Sequence, residues 1–241
     1  MKTAIQSSAI NNTNYETGEF KIKTSAHAFK ILSSSLYEDK HLAVMREIAC
    51  NALDAHIDAG IPEVPIEIIL PNDLDSVITF IDHGKGMSLE ILQKLYTTYF
   101  DSTKNESDEQ IGGFGLGSKS PFSLTDNFTV ISVTEEGEET TIYCYLDRGV
   151  PKVTVISNIQ DSTKPNGTTI KISVKEKDIR QLADTIHRTG IFDYWEVRPT
   201  INARDPYFKN EIATRFEKHG YTRKYTTLDS KTKYYIESLV C

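Results

Sequence analysis

The chain has 241 residues, 39% of them hydrophobic and 25% charged, which is typical of a soluble globular protein with one large domain or a domain and a half. The formal net charge of -7 excludes broad nucleic-acid binding as the main activity, because phosphate contacts require clustered cations. The 3 cysteines have no C-x-x-C spacing, which excludes a disulfide framework and fits a reducing cytoplasm. The apolar runs are strand-sized, so we expect neither a signal peptide nor a transmembrane segment.

The first half of the chain is predicted to start with a polar arm and to continue into helices. The arm covers residues 1–24, and a helical segment follows at 25–37. A long helix is expected over 38–60, because Gly60 and then Pro62 end its pattern. The next segments alternate in type: strands at 64–70 and 76–82, a helix at 88–99 that begins at Ser88, and a polar loop at 100–113.

The second half is predicted to be rich in strands. A glycine-rich stretch at 114–124 leads into a short helix, and a longer helix ends at Gly190. Between them lie four strand-like runs, at 127–134, 139–146, 151–157 and 168–174. Four strands in succession lack crossover helices, so a doubly wound parallel sheet is excluded. We therefore predict a two-layer α/β (α+β) sandwich, with a mixed, mostly antiparallel sheet and helices on one face.

The long helix contains a polar face in the segment "MREIACNALDAH", residues 45–56. Glu47, Asn51 and Asp54 follow the i, i+4, i+7 spacing, while the apolar side chains occupy the other side. A solvated surface stripe and a face lining a pocket both explain this pattern. The segment alone does not decide between them.

The stretch "VITFIDHGKGMS" places an aspartate at the end of a strand. Asp82 is followed by Gly84, Gly86 and Met87, and the glycines allow close backbone approach and positive φ angles. A carboxylate in this position can accept a hydrogen bond from an exocyclic amine. A plain Asp-Gly turn between strand and helix is the alternative.

Two further stretches carry residues suited to a ligand. In "IGGFGLGSKSPF", successive backbone N–H groups at the start of a helix can bind phosphate oxygens, although the P-loop spacing is absent. A flexible hinge is the alternative, and Lys119 is left as an open candidate for an anion contact. In "NGTTIKI", the Thr168 hydroxyl can bind a ligand amine or a water, but threonine is also a common strand residue.

Together, these motifs resemble the Bergerat-fold ATPases of the GHKL superfamily, which includes DNA gyrase, heat-shock-90 chaperones, MutL and sensor histidine kinases. The order is E-x-x-x-N-x-x-D-A from Glu47, D-x-G-x-G-M from Asp82, I-G-x-F-G-x-G over 111–117 and a late G-T at 167–168. The resemblance covers about residues 25–190. More narrowly, residues 29–56 resemble the amino-terminal region of phage rIIA-type lysis-inhibition proteins.

The resemblance implies ATP and Mg²⁺ as cofactors, with Glu47 as the general base and Asn51 as the Mg²⁺ ligand. It implies that Asp54 approaches the nucleotide through water, that Asp82 accepts from the adenine amine and that Thr168 holds a bridging water. The residues expected to shape the base pocket or to contact phosphate are Gly84, Gly86, Met87, Lys104, Gly112, Gly113, Phe114, Gly115, Leu116 and Gly117. Residues 100–111 would then be a lid over ATP.

The leading functional hypothesis is Mg-dependent ATP binding and slow hydrolysis, driving lid closure or a dimerisation switch. An ATP-sensing interaction module without hydrolysis is the first alternative, and a histidine or anti-sigma-type protein kinase is the second. The resemblance implies ATP and ADP as ligands, a homodimer formed through the arm and the C-terminal region, and an unidentified protein partner. It also implies a bacterial host cytoplasm, with peripheral membrane association in the rIIA-like case.

Residues 191–241 are predicted to begin a following, transducer-like domain. The composition changes at "FDYWEVRPTINARDPYF", which includes Trp195. The apolar ending "IESLVC" suggests a chain truncated at residue 241. The family's completing active-site lysine is not assigned within this segment.

Overall fold

A computed structural model of the chain describes residues 29, 37–97, 117–201, 222–228 and 231–237. The predicted arm at 1–24, nearly all of the segment at 25–37 and the predicted lid lie outside these ranges. The helices are α1 (Lys40–Asp58), α2 (Leu89–Thr97) and α3 (Glu176–Thr189), with a 3-10 helix at Gly117–Ser123. In the described ranges, no helix is both long and apolar enough to cross a membrane.

Nine strands are described, and seven of them form one sheet. The strands are β1 (Glu67–Ile69), β2 (Val77–Ile81), β3 (Asn127–Val133), β4 (Glu139–Asp147), β5 (Val150–Ile159), β6 (Gly167–Ser173), β7 (Thr200–Ile201), β8 (Thr222–Leu228) and β9 (Lys231–Glu237). The sheet order is β5-β4-β3-β6-β2-β1-β7, and β8 pairs with β9 separately. Every neighbouring pair in the large sheet is antiparallel except β1 and β7. The predicted fold class is confirmed.

Local capping chemistry explains the helix ends; Ser88, Gly60 and Gly190 were expected from the sequence, whereas the cap at Asp39 was not. Asp39 caps α1, and its Oδ1 atom accepts a hydrogen bond from the Leu42 N–H at 3.0 Å. Gly60, just beyond the end of α1, has a φ of 73°, and Gly190 ends α3 in the left-handed region with a φ of 58°. At the start of α2, the Ser88 hydroxyl accepts from the Ile91 N–H at 3.4 Å.

The hydrophobic core lies between one face of the sheet and the helices. Alternate strand residues are fully buried, as at Ile78 and Phe80 on β2 and at Phe128 on β3. The same cluster contains Met45 of α1 and Leu182 of α3. Burying one such side chain contributes about 1.5–3 kcal/mol to folding, so this shared core fixes α1 against the sheet.

Strand β7 lies beyond residue 190, where the sequence predicts a domain boundary. It pairs in parallel with β1 and aligns Thr200 with Glu67. The chain after α3 therefore adds a strand to the large sheet before the described range ends at Ile201. The boundary itself stays a prediction.

Candidate functional site

Helix α1 has the two faces that its sequence predicts. Met45 and Ile48 are buried in the core, whereas Glu47 and Asn51 are half-buried on the opposite side. Asp54, one turn further on, is only 3% exposed. The three polar residues thus follow one side of the helix, and their burial increases toward its carboxyl end.

The Glu47 carboxylate has a cation and a phenol as neighbours. Its Oε1 atom accepts from the Arg46 Nη2 at 3.1 Å, and the glutamate side chain is 28% exposed. Tyr37 lies close enough to Glu47 for the glutamate's charge to affect the titration of the Tyr37 hydroxyl. Burial raises the pKa of the Tyr37 hydroxyl, and the negative charge of Glu47 raises it further.

The last glycine of the glycine-rich stretch contacts this polar face. A Cβ atom added to Gly117 would lie 2.8 Å from the Glu47 Oε2 and 3.5 Å from the Asn51 Nδ2. The structure therefore brings Gly117 together with two of the predicted site residues. The other predicted phosphate contacts lie outside the described residues: Lys104, Gly112, Gly113, Phe114, Gly115 and Leu116.

Asp82 is buried at the end of β2, and its two carboxylate oxygens differ. Oδ1 accepts from the Gly84 N–H at 2.9 Å and from the Thr168 N–H at 3.1 Å. Within the described part of the chain, Oδ2 accepts no hydrogen bond. Burial raises the pKa of the Asp82 carboxyl, and the two N–H donors oppose that rise. One acceptor oxygen of Asp82 is consequently left for a ligand.

The glycines around Asp82 pack closely against other segments of the chain. A Cβ atom on Gly86, whose φ is 72°, would lie 1.9 Å from the Val133 carbonyl oxygen. On Gly84 it would lie 2.9 Å from the Ala55 Cβ, so this loop packs directly on α1. The sequence suggested that these glycines let backbone approach a ligand. In the structure, the close approach is to β3 and to α1.

Thr168 lies beside Asp82 and contacts a residue that the sequence analysis missed. The Thr168 Oγ1 is 3.2 Å from the Ser132 Oγ, and Ser132 is fully buried on β3. The Ser132 hydroxyl also accepts from the Met87 N–H at 2.7 Å. Strand alternation could have indicated Ser132, because it continues the buried file of Phe128 and Val130 as a polar residue.

His56 is a second missed residue, and it joins α1 to the Asp82 loop. The fully buried ring donates through Nδ1–H to the Val64 carbonyl oxygen at 2.8 Å. Its Nε2 accepts from the His83 N–H at 2.7 Å. These partners fix the neutral Nδ1–H tautomer, because a proton on Nε2 would face another donor. A lone histidine in a helix gives no sequence signal for this role.

The 3-10 helix contains a buried cation and several buried hydroxyl groups. The Lys119 Nζ donates to the Leu95 carbonyl oxygen at 2.5 Å, so it caps the carboxyl end of α2. In the described ranges, the buried hydroxyl oxygens of Ser118, Ser120 and Ser123 have no hydrogen-bond partner. Such groups cost about 1–3 kcal/mol each when unpaired, so the 3-10 helix that begins at Gly117 has unused capacity for hydrogen bonding.

A comparison to known protein families finds a match to part of the chain. Residues 40–151 match the family described as histidine kinase-, DNA gyrase B- and HSP90-like ATPases. The matched segment begins with α1 and extends into β5, so it includes Glu47, Asp82 and Gly117. This segment is therefore similar to ATPase domains of that family.

Curated relatives include bacterial chaperone proteins named HtpG. The chain is 27% identical to HtpG of Clostridium acetobutylicum over 239 residues, covering 91% of this chain and 36% of the relative. It is 25% identical to HtpG of Streptomyces coelicolor over 218 residues, covering 76% of this chain and 33% of the relative. The chain spans about a third of the length of these relatives.

Proposed function

We propose that this chain binds Mg-ATP and hydrolyses it slowly, using the nucleotide to drive closure of a lid or dimerisation. The supporting observation is that α1 contacts both ends of the candidate site. Ala55 meets the Gly84 loop beside Asp82, and Glu47 meets Gly117 eight residues earlier. At 1.5 Å per residue these contacts are about 12 Å apart along the helix, comparable to the length of an extended nucleoside triphosphate.

The base end is where Asp82 and Thr168 lie. The Asp82 Oδ2 accepts from the exocyclic amine of adenine, because Oδ1 is already occupied by two backbone N–H groups. Thr168 lies next to it through its own N–H bond and supplies a hydroxyl to the same edge of the base. Met87 closes this end, with its N–H held by Ser132.

The phosphate end is where Gly117, Asn51 and Ser118 lie. The residues present fit a phosphate–Mg²⁺ group, because Gly117 has no side chain against Glu47 and the buried Ser118 hydroxyl is unpaired in the described ranges. Asn51 offers an amide oxygen, and Mg²⁺ bound to phosphates and waters needs only one or two protein ligands. When bound, the cation neutralises charge that develops on the phosphates.

Glu47 is the proposed general base, which orients and deprotonates the attacking water. Asp54 approaches the nucleotide through water. Phosphate contacts are assigned to Lys104 and to residues 112–117, within the proposed lid and glycine-rich loop. A following domain after residue 190 completes the site through dimerisation. The narrower proposal, an rIIA-like phage protein, has the support of residues 29–56 alone.

An ATP-sensing module without hydrolysis is the second candidate. The contact between Arg46 and Glu47 favours it, because the arginine already occupies the Glu47 Oε1 atom as a hydrogen-bond donor and competes with a water for that position. In that case the chain binds ATP with the same base pocket, and turnover is negligible. The two candidates therefore differ in catalysis and not in binding.

Calorimetric titration with a non-hydrolysable ATP analogue, with and without Mg²⁺, tests the proposal. We expect Mg-dependent binding by the wild type and a loss of about 10- to 100-fold in affinity for Asp82→Asn, since hydrogen bonds to charged groups contribute about 1.5–3 kcal/mol. Glu47→Ala should retain binding and lose phosphate release. No binding by the folded wild type would contradict the proposal, and binding without turnover would select the sensing module.

A further inference from the structure

Three polar side chains close one end of the core face of the sheet. Ser132 on β3 lies opposite Thr168 on β6, and Asp82 follows β2, with its N–H donating to the Thr168 carbonyl oxygen at 3.0 Å. Because side chains alternate, all three continue the faces that carry Val130, Ile170 and Phe80. They form a polar row across three neighbouring strands, which we name the base row.

The Ser132 hydroxyl can donate one hydrogen bond and accept two. It is fully buried, and the Met87 N–H at 2.7 Å occupies one acceptor position. Its proton has two candidate acceptors, the Thr168 Oγ1 at 3.2 Å and the Gly167 carbonyl oxygen at 3.4 Å. The Thr168 oxygen is the nearer of the two and is therefore the better acceptor.

This direction of donation determines what Thr168 can offer a ligand. If Ser132 donates to the Thr168 Oγ1, the proton of Thr168 points away from Ser132 and is available to the ligand. Beside it, the Asp82 Oδ2 is an acceptor. The base row then presents an acceptor next to a donor. Adenine presents the complementary pair, an amine beside an unprotonated ring nitrogen, whereas guanine presents a carbonyl beside a ring N–H.

We propose that Ser132 is a specificity-determining residue, which holds the Thr168 hydroxyl as a donor and so favours adenine over guanine. It acts through Thr168 and is a positioning residue. This inference rests on the proposed function, since it concerns the same nucleotide site. Its chain of donors runs from the Met87 N–H to Ser132, from Ser132 to Thr168, and from Thr168 to the base.

The test compares base preference in Ser132→Ala and in the wild type. Calorimetry with non-hydrolysable ATP and GTP analogues should show a fall of about 5- to 20-fold in ATP-analogue affinity, the value of one hydrogen bond. GTP-analogue affinity should fall less or rise, because the freed Thr168 hydroxyl can turn to accept from the guanine ring N–H. Ser173→Ala is the matched control, since Ser173 is exposed on the same β6 strand as Thr168.

Two further measurements separate this role from a general loss of packing. Ser132→Thr retains the hydroxyl and should keep the ATP preference of the wild type. It also replaces Ser132→Ala as the test variant if Ser132→Ala does not fold. Purine riboside triphosphate keeps the ring acceptor but lacks the amine. Its affinity should fall in Ser132→Ala and change little in Asp82→Asn.

The outcomes distinguish this inference from the function on which it rests. If the wild type binds the ATP analogue and Ser132→Ala keeps the same ATP-to-GTP ratio, the role of Ser132 is overturned and ATP binding stands. A Ser132→Thr variant that folds but loses the preference also overturns it. If the folded wild type binds no nucleotide, both proposals fall.

Discussion

The two ends of α1 contact the rest of the molecule in different ways. At the carboxyl end, Ala55 and His56 meet the Asp82 loop, where the described hydrogen bonds involve backbone N–H groups. At the other end, Glu47 meets Gly117 through a side chain, and the neighbouring Ser118 hydroxyl is buried and unpaired in the described ranges. The proposed base end is preorganised by backbone, whereas the proposed phosphate end has polar groups that a ligand could satisfy.

This difference predicts opposite responses to the same small substitution. A methyl group at Gly86 would meet a carbonyl of β3, which cannot move without disturbing the sheet. A methyl group at Gly117 would meet the end of a flexible carboxylate side chain. The first change should therefore affect stability, and the second should affect catalysis.

Gly86→Ala should have the largest effect. The added Cβ lies 1.9 Å from the Val133 oxygen at a φ of 72°, so overpacking and left-handed backbone strain add together. We expect a loss of about 3 kcal/mol or more in the free energy of unfolding, measured by urea denaturation. Gly60→Ala is the matched control, because its φ is 73° and no atom lies within 4 Å. It should cost about 1 kcal/mol. Equal losses in the two variants would contradict the proposed contact with β3.

Gly117→Ala should change turnover more than stability. The new methyl group displaces the Glu47 carboxylate, so we expect kcat for phosphate release to fall about tenfold and the affinity for the ATP analogue to change less than about threefold. Unchanged kcat in Gly117→Ala would contradict the proposed effect of Gly117 on the position of the Glu47 carboxylate.

Asp82→Asn should have the smallest effect on the stability of the protein without nucleotide. The direction of the change in Tm is what tests the account. Because burial raises the folded-state pKa of Asp82, the folded protein loses stability as pH rises from the ordinary aspartate range to that raised value. The penalty is complete above the raised pKa and absent below the ordinary range. We expect Asp82→Asn to have a Tm at pH 7 equal to or a few degrees above that of the wild type. The difference should disappear in strong acid, and a lower Tm at pH 7 would contradict this account.

Much of the fold follows from local patterns in the sequence. Alternation and turn residues predict β3 to β6, and glycines predict the ends of α1 and α3. Asp82 could be identified as a candidate because its motif lies at the end of a strand. Each of these signals is contained within a few consecutive residues.

Contacts between distant segments could not be predicted in this way. The cap that Lys119 places on α2 depends on where the 3-10 helix packs, and the link from His56 to His83 spans 27 positions. The pairing of β7 with β1 likewise joins residues far apart in sequence. Alternation indicates that Ser132 is buried, but its role is not apparent until its partner Thr168 on β6 is known. In each case the meaning of the residue comes from tertiary packing.

The buried ring of His56 also provides a spectroscopic reporter. Its Nδ1–H is shielded from solvent and held by the Val64 carbonyl oxygen, so its proton should exchange slowly and give a resolved signal in a ¹⁵N-labelled sample. The Nε2 signal reports on the His83 N–H at the same time. One imidazole thus records whether α1 and the Asp82 loop remain joined when an ATP analogue is added.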